Sequence, residues 1–184
     1  GTLTNLPSAP GDYAQAGAWV FVDESHYVKL VAIAPSTSGY NVQFQYEQGN
    51  STVDQIDVTG ALSGGDNVSF AFELDPAANE ITALYSVNGG AEQTAGTISV
   101  DPSLLSGISL PSGSAGDVSF AGLFATHRNA TEQVFTFDKF GLEAIGGSDQ
   151  PQITSTLPAD GATDVDVSTQ VTAYVSLPNT GQGV

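Results

Sequence analysis

A strict alternation of apolar and polar side chains over residues 40–47 constrains the fold more than any other feature of the chain. Tyr40, Val42, Phe44 and Tyr46 fall on one face of an extended segment, while amide and carboxylate side chains fall on the other. A period of two residues is typical of an antiparallel β-strand with one buried face. The sequence therefore predicts a strand here, with its apolar side chains turned toward a core.

Three further runs alternate in the same way, and each predicts a strand with an inward apolar set. These sets are Val68/Phe70/Phe72/Leu74, Ile81/Ala83/Tyr85/Val87 and Val118/Phe120/Gly122/Phe124. Residues 13–34 are interpreted as two strands joined by a polar turn at residues 23–25, and residues 134–142 as a long last strand. Strands of this kind, separated by turn-forming residues, indicate an all-β protein.

Turn-forming residues set the connections between these strands. Asn88, Gly89 and Gly90 predict a hairpin turn, because Asn and Gly tolerate positive φ. Residues 75–79 are interpreted as a tight connection, and residues 102–116 as a long surface loop. About eight to ten strands precede residue 146, which favours an antiparallel two-sheet jelly-roll sandwich.

The character of the sequence changes at residues 146–148, where Gly-Gly-Ser interrupts the pattern. We therefore expect a sandwich domain over residues 1–146 and a separate segment over residues 147–184. The second segment contains a candidate strand at residues 171–175 but is too short to hold a core of its own. It is either an extended β arm or part of a further domain.

The charge of the chain excludes several functions. Twenty acidic residues against three basic ones give a net charge of −17, which repels a nucleic-acid backbone or an anionic lipid surface. No apolar run is long enough to insert into a membrane. Because the chain has no Cys, disulfides, thiol nucleophiles and thiolate metal sites are also excluded. A saline exterior accounts for the acidity, and bound cations are the alternative.

Four phrases carry a resemblance to a known family: YAQAGAWVFVDESHYVKL, VQFQYEQG, ITALYSVNGGAEQTAG and AGLFATHRNATEQVFTFDKFGLEA. With them, residues 13–145 resemble the concanavalin A-like (laminin G-like) sandwich modules of secreted bacterial proteins, and in particular the module appended to some β-xylosidases. Residues 158–165, PADGATDV, resemble the opening of bacterial immunoglobulin-like modules. The resemblance implies a concanavalin A-like sandwich in an extracellular or cell-surface protein.

No catalytic set is found in the sequence. A retaining glycosidase needs two carboxylates about 5–5.5 Å apart. The nearest candidates are Glu73, Asp75 and Glu80, and Pro76 breaks the strand between the last two. The two histidines, His26 and His127, lie beside no nucleophile motif and provide too few ligands for zinc. We therefore expect a protein that is not an enzyme.

Oxygen ligands and exposed polar groups remain as candidate sites. A calcium ion, if bound, would use carboxylates of Asp23, Glu24, Asp117 and Asp138. A glycan would use an aromatic platform with amides and charges around it, and the candidates are Gln43, Gln45, Glu47, His26, Tyr27, Trp19 and Arg128. Three sequons mark possible N-glycosylation at Asn50, Asn67 and Asn129.

Each glycan-binding candidate also has a purely structural interpretation. Trp19 fits a core position, Tyr27 a cross-strand pair, and Gln43 and Gln45 a solvated row. Arg128 fits an ion pair with a carboxylate such as that of Glu132.

Two functions follow from these features. The first is a non-catalytic, lectin-like module that binds a glycan or polysaccharide outside the cell. The second is a structural or adhesive subunit of a surface layer or extracellular fibre. In that case residues 148–184 would contact neighbouring copies, with the strand at residues 171–175 pairing with an adjacent sheet edge.

Overall fold

The computed structural model describes residues 1–9, 11–36, 39–105, 119–128, 132–141, 152–157 and 172–176. The chain divides into two compact units, Gly1–Leu142 and Glu143–Val184. The domain boundary expected at residue 146 stays a prediction.

The first unit contains two five-stranded antiparallel sheets. Sheet I has the order β10-β1-β6-β7-β8, with β1 at Thr2–Thr4, β6 at Val68–Asp75, β7 at Glu80–Val87, β8 at Gln93–Ser99 and β10 at Thr136–Lys139. Sheet II has the order β5-β4-β3-β2-β9, with β2 at Gln15–Asp23, β3 at His26–Ser36, β4 at Gly39–Gln48, β5 at Ser51–Leu62 and β9 at Phe120–Thr126. The predicted all-β, two-sheet antiparallel sandwich is confirmed.

The core draws on both sheets, and alternation selects its members. Tyr40, Val42, Phe44 and Tyr46 of β4 are all buried in it, as predicted. They share the core with alternate residues of the neighbouring strands: Ala16, Ala18, Val20, Val28, Leu30, Ala32, Val68, Phe70, Ile81, Ala83, Tyr85 and Ile98. Burial of this apolar surface is the main term that stabilises the sandwich.

Two hairpin turns use left-handed backbone. Asn88 and Gly89 have φ of 52° and 70°, which confirms the predicted turn after β7. Gly49 and Asn50 have φ of 61° and 62° between β4 and β5. Positive φ at both central positions matches the right-handed twist of the flanking strands, and Asn and Gly adopt it at low cost.

Three sequence-based expectations need correction. The last strand of the first unit, β10, covers only Thr136–Lys139 rather than residues 134–142. Residues 102–116 do not begin as a surface loop, because Pro102–Leu104 forms a 3₁₀ helix and Leu104 and Leu105 are buried in the core. The third correction concerns β9, whose alternation runs opposite to the prediction. Ala121 packs against the core, whereas Phe120 is 53% exposed.

The second unit contains a two-stranded antiparallel sheet, formed by β11 at Gln152–Leu157 and β12 at Thr172–Ser176. The predicted C-terminal strand is therefore present, shifted by one residue, and it is not a lone strand because it pairs with β11.

The part of the chain that the structure describes contains no helix with the length and hydropathy needed to cross a membrane.

Candidate functional site

The outer face of sheet II, which points away from the core, gathers most of the glycan-binding candidates. Strand register places their side chains in rows that run across the sheet. One row joins Gln45, Lys29, Trp19 and Gly122, and the next joins Glu47, Tyr27, Phe21 and Phe120. A third joins Gln43, Val31, Gly17 and Phe124. Because alternate residues of a strand share a face, all of these side chains lie on the same surface.

Aromatic rings cover the β2–β9 side of this outer face. The half-buried Trp19 stacks on Phe21 with ring centroids 4.0 Å apart, and it packs against Phe124 at 5.3 Å and Tyr27 at 5.8 Å. Phe120 extends the cluster, 5.5 Å from Phe21. We call Trp19, Phe21, Tyr27, Phe120 and Phe124 the aromatic cluster. Of these rings Phe120 is exposed, Trp19, Phe21 and Phe124 are half-buried, and Tyr27 is buried.

A glycine makes room for the indole in this cluster. A Cβ atom added at Gly122 would lie 3.3 Å from Nε1 of Trp19, so the indole lies directly over the β9 backbone. A Cβ atom at this position would require the indole to shift by a few tenths of an ångström.

Amides and carboxylates cover the β4–β5 side of the same face. Tyr27 donates a hydrogen bond of 2.8 Å to Glu47, its cross-strand neighbour. Gln43 donates to Asp57 at 3.1 Å, and Gln45 donates to Thr52 at 2.6 Å. These bonds hold the amides in fixed orientations, and within the described residues the amide oxygens of the two glutamines receive no donor. Each of these oxygens therefore keeps its capacity to accept a hydrogen bond, although both side chains are largely buried.

Lys29 lies between the aromatic and amide halves. Its side chain is only 2% exposed, and Nζ donates a hydrogen bond of 2.7 Å to Oε1 of Gln15. Nζ also lies 5.8 Å from the ring centroid of Phe124, within range of a cation–π interaction. Burial and, to a smaller extent, the positive charge of Arg128 lower the pKa of Lys29 to about 8, against opposing effects of Glu47 and of Asp57 that are each smaller still.

This pKa makes the stability of the protein pH-dependent. A lysine whose pKa is lower in the folded than in the unfolded state destabilises the fold while it is charged. Stability therefore rises with pH between about 8 and the unfolded value of 10.5. Between about pH 7 and pH 9.5, the free energy of unfolding should rise by about 2 kcal/mol through Lys29 alone.

Urea unfolding of the wild type and of Lys29→Met at both pH values measures this contribution. The variant removes the titrating group and should lack the increment, whereas the wild type should show it. Burial raises the pKa of the phenols of Tyr27 and Tyr40, that of Tyr40 to about 12, so that both slightly lower stability as pH approaches the unfolded value of 10. Both tyrosines are present in the two proteins, so the comparison isolates Lys29. Equal pH dependence in both proteins would contradict the assignment.

Arg128 stands at the end of β9 beside this face. It has φ of 48°, and its backbone N–H donates a hydrogen bond of 3.2 Å to Oγ1 of Thr126. The predicted ion pair with Glu132 does not form within the described residues; instead the guanidinium is close enough to lower the pKa of both Lys29 and Tyr27. Arg128 thus lies beside Thr126, whose cross-strand partner Gln15 accepts the hydrogen bond of Lys29.

His26 is the one glycan-binding candidate that the structure does not bring to this face. It precedes the outward-facing Tyr27, so its side chain lies on the opposite side of the sheet, where Nε2 is 3.4 Å from the hydroxyl of Tyr46.

Trp19 was predicted to be either a core residue or a ligand-binding residue. Its ring lies outside the core, in the aromatic cluster. Gln43 and Gln45 are buried rather than solvated.

The predicted calcium ligands are spread over both sheets. Asp23 and Glu24 lie at the β2–β3 turn, Asp138 lies in β10 of the other sheet, and Asp117 is outside the described residues. Asp23 accepts hydrogen bonds from the N–H and hydroxyl of Ser25, which lower its pKa. Among the described residues no three acidic or histidine side chains converge on one point. Calcium binding stays a prediction.

The predicted glycosylation sites fall in different places. Asn50 is exposed in the β4–β5 turn, and Asn67 is exposed just before β6, where Oδ1 accepts a hydrogen bond from the N–H of Asn5. Asn129 lies outside the described residues. Glycosylation at these sites stays a prediction.

Several residues of the outer face were missed by the sequence analysis: Gln15, Phe21, Lys29, Phe120, Gly122 and Phe124. One signal could have found them. In residues 15–22 and 27–34 both alternating sets are largely apolar, a pattern typical of strands that are covered on both faces.

Comparisons with known proteins give a fold and no family. No family model matches the chain, and no curated protein matches it. Among solved structures it is similar to the GH43 protein BlXynB from Bacillus licheniformis, with 18% identity and a TM-score of 0.51 over 73% of this chain. A mutant of that protein gives 18% identity and a TM-score of 0.49 over 68% of this chain.

The chain spans only 24% of the BlXynB chain. At 18% identity the likeness shows a shared β-sandwich fold. The more specific resemblance, to a module appended to β-xylosidases, stays a prediction.

Proposed function

We propose that this chain is a non-catalytic, lectin-like module of a secreted or cell-surface protein, and that the outer face of sheet II binds a glycan. The observation that carries the proposal is the arrangement of an aromatic cluster directly beside fixed amides on one sheet surface. Trp19 of the cluster and Gln45 of the amide side lie in the same cross-strand row.

A sugar ring offers two kinds of surface, and the outer face of sheet II matches both. The C–H groups of a pyranose form an apolar patch, which loses its water contact favourably when it stacks on an indole or phenyl ring. The hydroxyls around its rim need directional partners, and the oxygens of Gln43 and Gln45 provide acceptors. A largely pre-formed site of this kind binds at a low cost in conformational entropy.

The carboxylates of this face support binding without turnover. Glu47 accepts a hydrogen bond from Tyr27, and Asp57 accepts hydrogen bonds from Gln43 and Gln55. Glycoside hydrolysis requires one carboxyl group that donates a proton to the leaving oxygen and a second that attacks or activates water. Both carboxylates are instead engaged in orienting neighbouring side chains.

A glycan array, run with calcium and with a chelator, tests the proposal. We expect binding to at least one class of oligosaccharide, followed by a change in Trp fluorescence on titration, because Trp19 is the single Trp of the chain and lies in the site. A requirement for calcium would support the predicted cofactor. Absence of binding on the array under both conditions would contradict the proposed function.

A structural or adhesive subunit is the second candidate, and the second unit of the chain favours it. A sheet of only two strands, such as β11–β12, is marginally stable in water and gains from an added strand. Light scattering distinguishes the two candidates. Concentration-dependent assembly would support the structural role, whereas a stable monomer with protease-sensitive residues 148–184 would remove it.

A further inference from the structure

Positive charge is concentrated on the proposed binding face to a degree that the composition does not explain. The chain has only three basic residues among 20 acidic ones. Lys29 projects from the outer face of sheet II, and its partner Gln15 pairs across the strands with Thr126, to which the backbone of Arg128 is hydrogen-bonded. Lys139 lies in β10 of the other sheet. In a protein of net charge −17, basic side chains are expected to pair with carboxylates.

Neither cation has such a partner within the described residues. The buried ammonium of Lys29 has three N–H donors and uses one of them, toward the neutral amide of Gln15. The guanidinium of Arg128 is exposed and makes no ion pair there. A buried ammonium beside a second cation is costly, and the pKa of Lys29, lowered by burial and by Arg128, reflects that cost.

The nearby carboxylates do not neutralise this pair of cations. Glu47 and Asp57 are the acidic groups of the face that act on Lys29, and each of them raises its pKa by less than Arg128 lowers it. Both already accept hydrogen bonds from Tyr27 and from Gln43 and Gln55. An anionic group placed between Lys29 and Arg128 would relieve the repulsion between them.

We infer that Arg128 and Lys29 form a cationic subsite that binds the carboxylate of an acidic sugar residue, such as a uronic acid, within the glycan proposed above. Arg128 makes the direct contact, because its guanidinium is exposed and its planar geometry suits a carboxylate. Lys29, beneath the surface, contributes attraction through its charge. The inference rests on the proposed function and names the class of glycan.

The charge of the whole protein restricts this class further. A dense polyanion would be repelled by the −17 net charge, whereas a single carboxylate responds mainly to charges within about 8 Å at physiological ionic strength. The preferred ligand is therefore a glycan in which acidic residues are sparse, and its neutral residues stack on the aromatic cluster.

Titration of Trp fluorescence with a matched pair of probes tests the subsite. The probes are an oligosaccharide that carries one uronic acid and the same compound with that acid converted to its methyl ester. An analogue with a sulfate ester in place of the carboxylate forms a third arm. The wild type should bind the free acid about tenfold or more tightly than the ester, since a charge-assisted contact is lost in the ester.

Variants identify the residues responsible. Arg128→Gln should bind the free acid no more tightly than the ester, and Lys29→Met should reduce the preference several-fold. Lys139→Met removes the same charge from the other sheet and should keep the full preference. Arg128 is exposed, so its variant keeps the test informative if Lys29→Met does not fold.

The outcomes separate this inference from the proposed function. Equal or tighter binding of the ester by the wild type would overturn the subsite and leave the proposed function standing. Binding of the sulfated analogue alone would overturn the assignment to a carboxylate. If none of the probes binds and the glycan array shows no binding, both the subsite and the proposed function are overturned.

Discussion

Replacing Trp19 by alanine is expected to reduce glycan affinity by more than about 30-fold, the largest loss that we predict for any single side chain of the binding face. Trp19 is the centre of the aromatic cluster, in contact with Phe21, Tyr27 and Phe124. Central aromatic residues of an interface typically account for about 2 kcal/mol or more of binding free energy, which corresponds to that factor. Isothermal titration calorimetry with a glycan identified on the array measures the loss without the indole as a reporter.

A matched control separates loss of binding from loss of structure. Phe140→Ala removes an aromatic side chain that is 44% exposed and follows β10 of the other sheet. Its affinity should equal that of the wild type, and circular dichroism should show that both variants are folded. Unchanged affinity of Trp19→Ala would contradict the location of the site.

Replacing Phe44 by alanine is expected to have the largest effect on stability. Phe44 is fully buried in the core, and its ring lies 6.2 Å from that of Phe72, which is on the opposite sheet. Truncating a buried phenylalanine removes apolar contacts and leaves a cavity, so the free energy of unfolding should fall by about 3–5 kcal/mol. This is a large fraction of the roughly 5–15 kcal/mol that stabilises a typical domain.

Urea unfolding followed by circular dichroism measures this change. Phe140→Ala serves again as the control, since truncation of an exposed ring should cost less than about 1 kcal/mol. A loss for Phe44→Ala as small as that of the control would contradict the two-sheet core.

Most of the fold could be predicted from the sequence because one buried face per strand leaves a period-two pattern. β4 shows this directly, since Tyr40 through Tyr46 alternate between core and outer face as predicted. β9 shows the limit of the argument. Its aromatic residues were expected in the core because they are apolar, yet Phe120 is 53% exposed on the outer face. Alternation defines two faces, but on strands with two apolar faces it does not tell which one is inward.

Only part of the candidate site could be predicted from the sequence, because some of its residues come together only when strands pair. Gln43, Gln45 and Glu47 were identified because polar residues on a strand stand out, and Trp19 and Tyr27 because they are aromatic. Lys29 was missed, because its place between Gln45 and Trp19 depends on the pairing of three strands. A contact that depends on how strands pair cannot be recognised from the local sequence pattern of one strand.

The indole Nε1–H resonance of Trp19 tests the central claim most directly. The chain contains one Trp, so its ¹H–¹⁵N spectrum holds a single indole signal. On addition of a bound glycan we predict a clear shift of this signal, together with shifts of the side-chain amides of Gln43 and Gln45. An unmoved indole signal, with binding-induced shifts confined to residues outside the outer face of sheet II, would contradict the account.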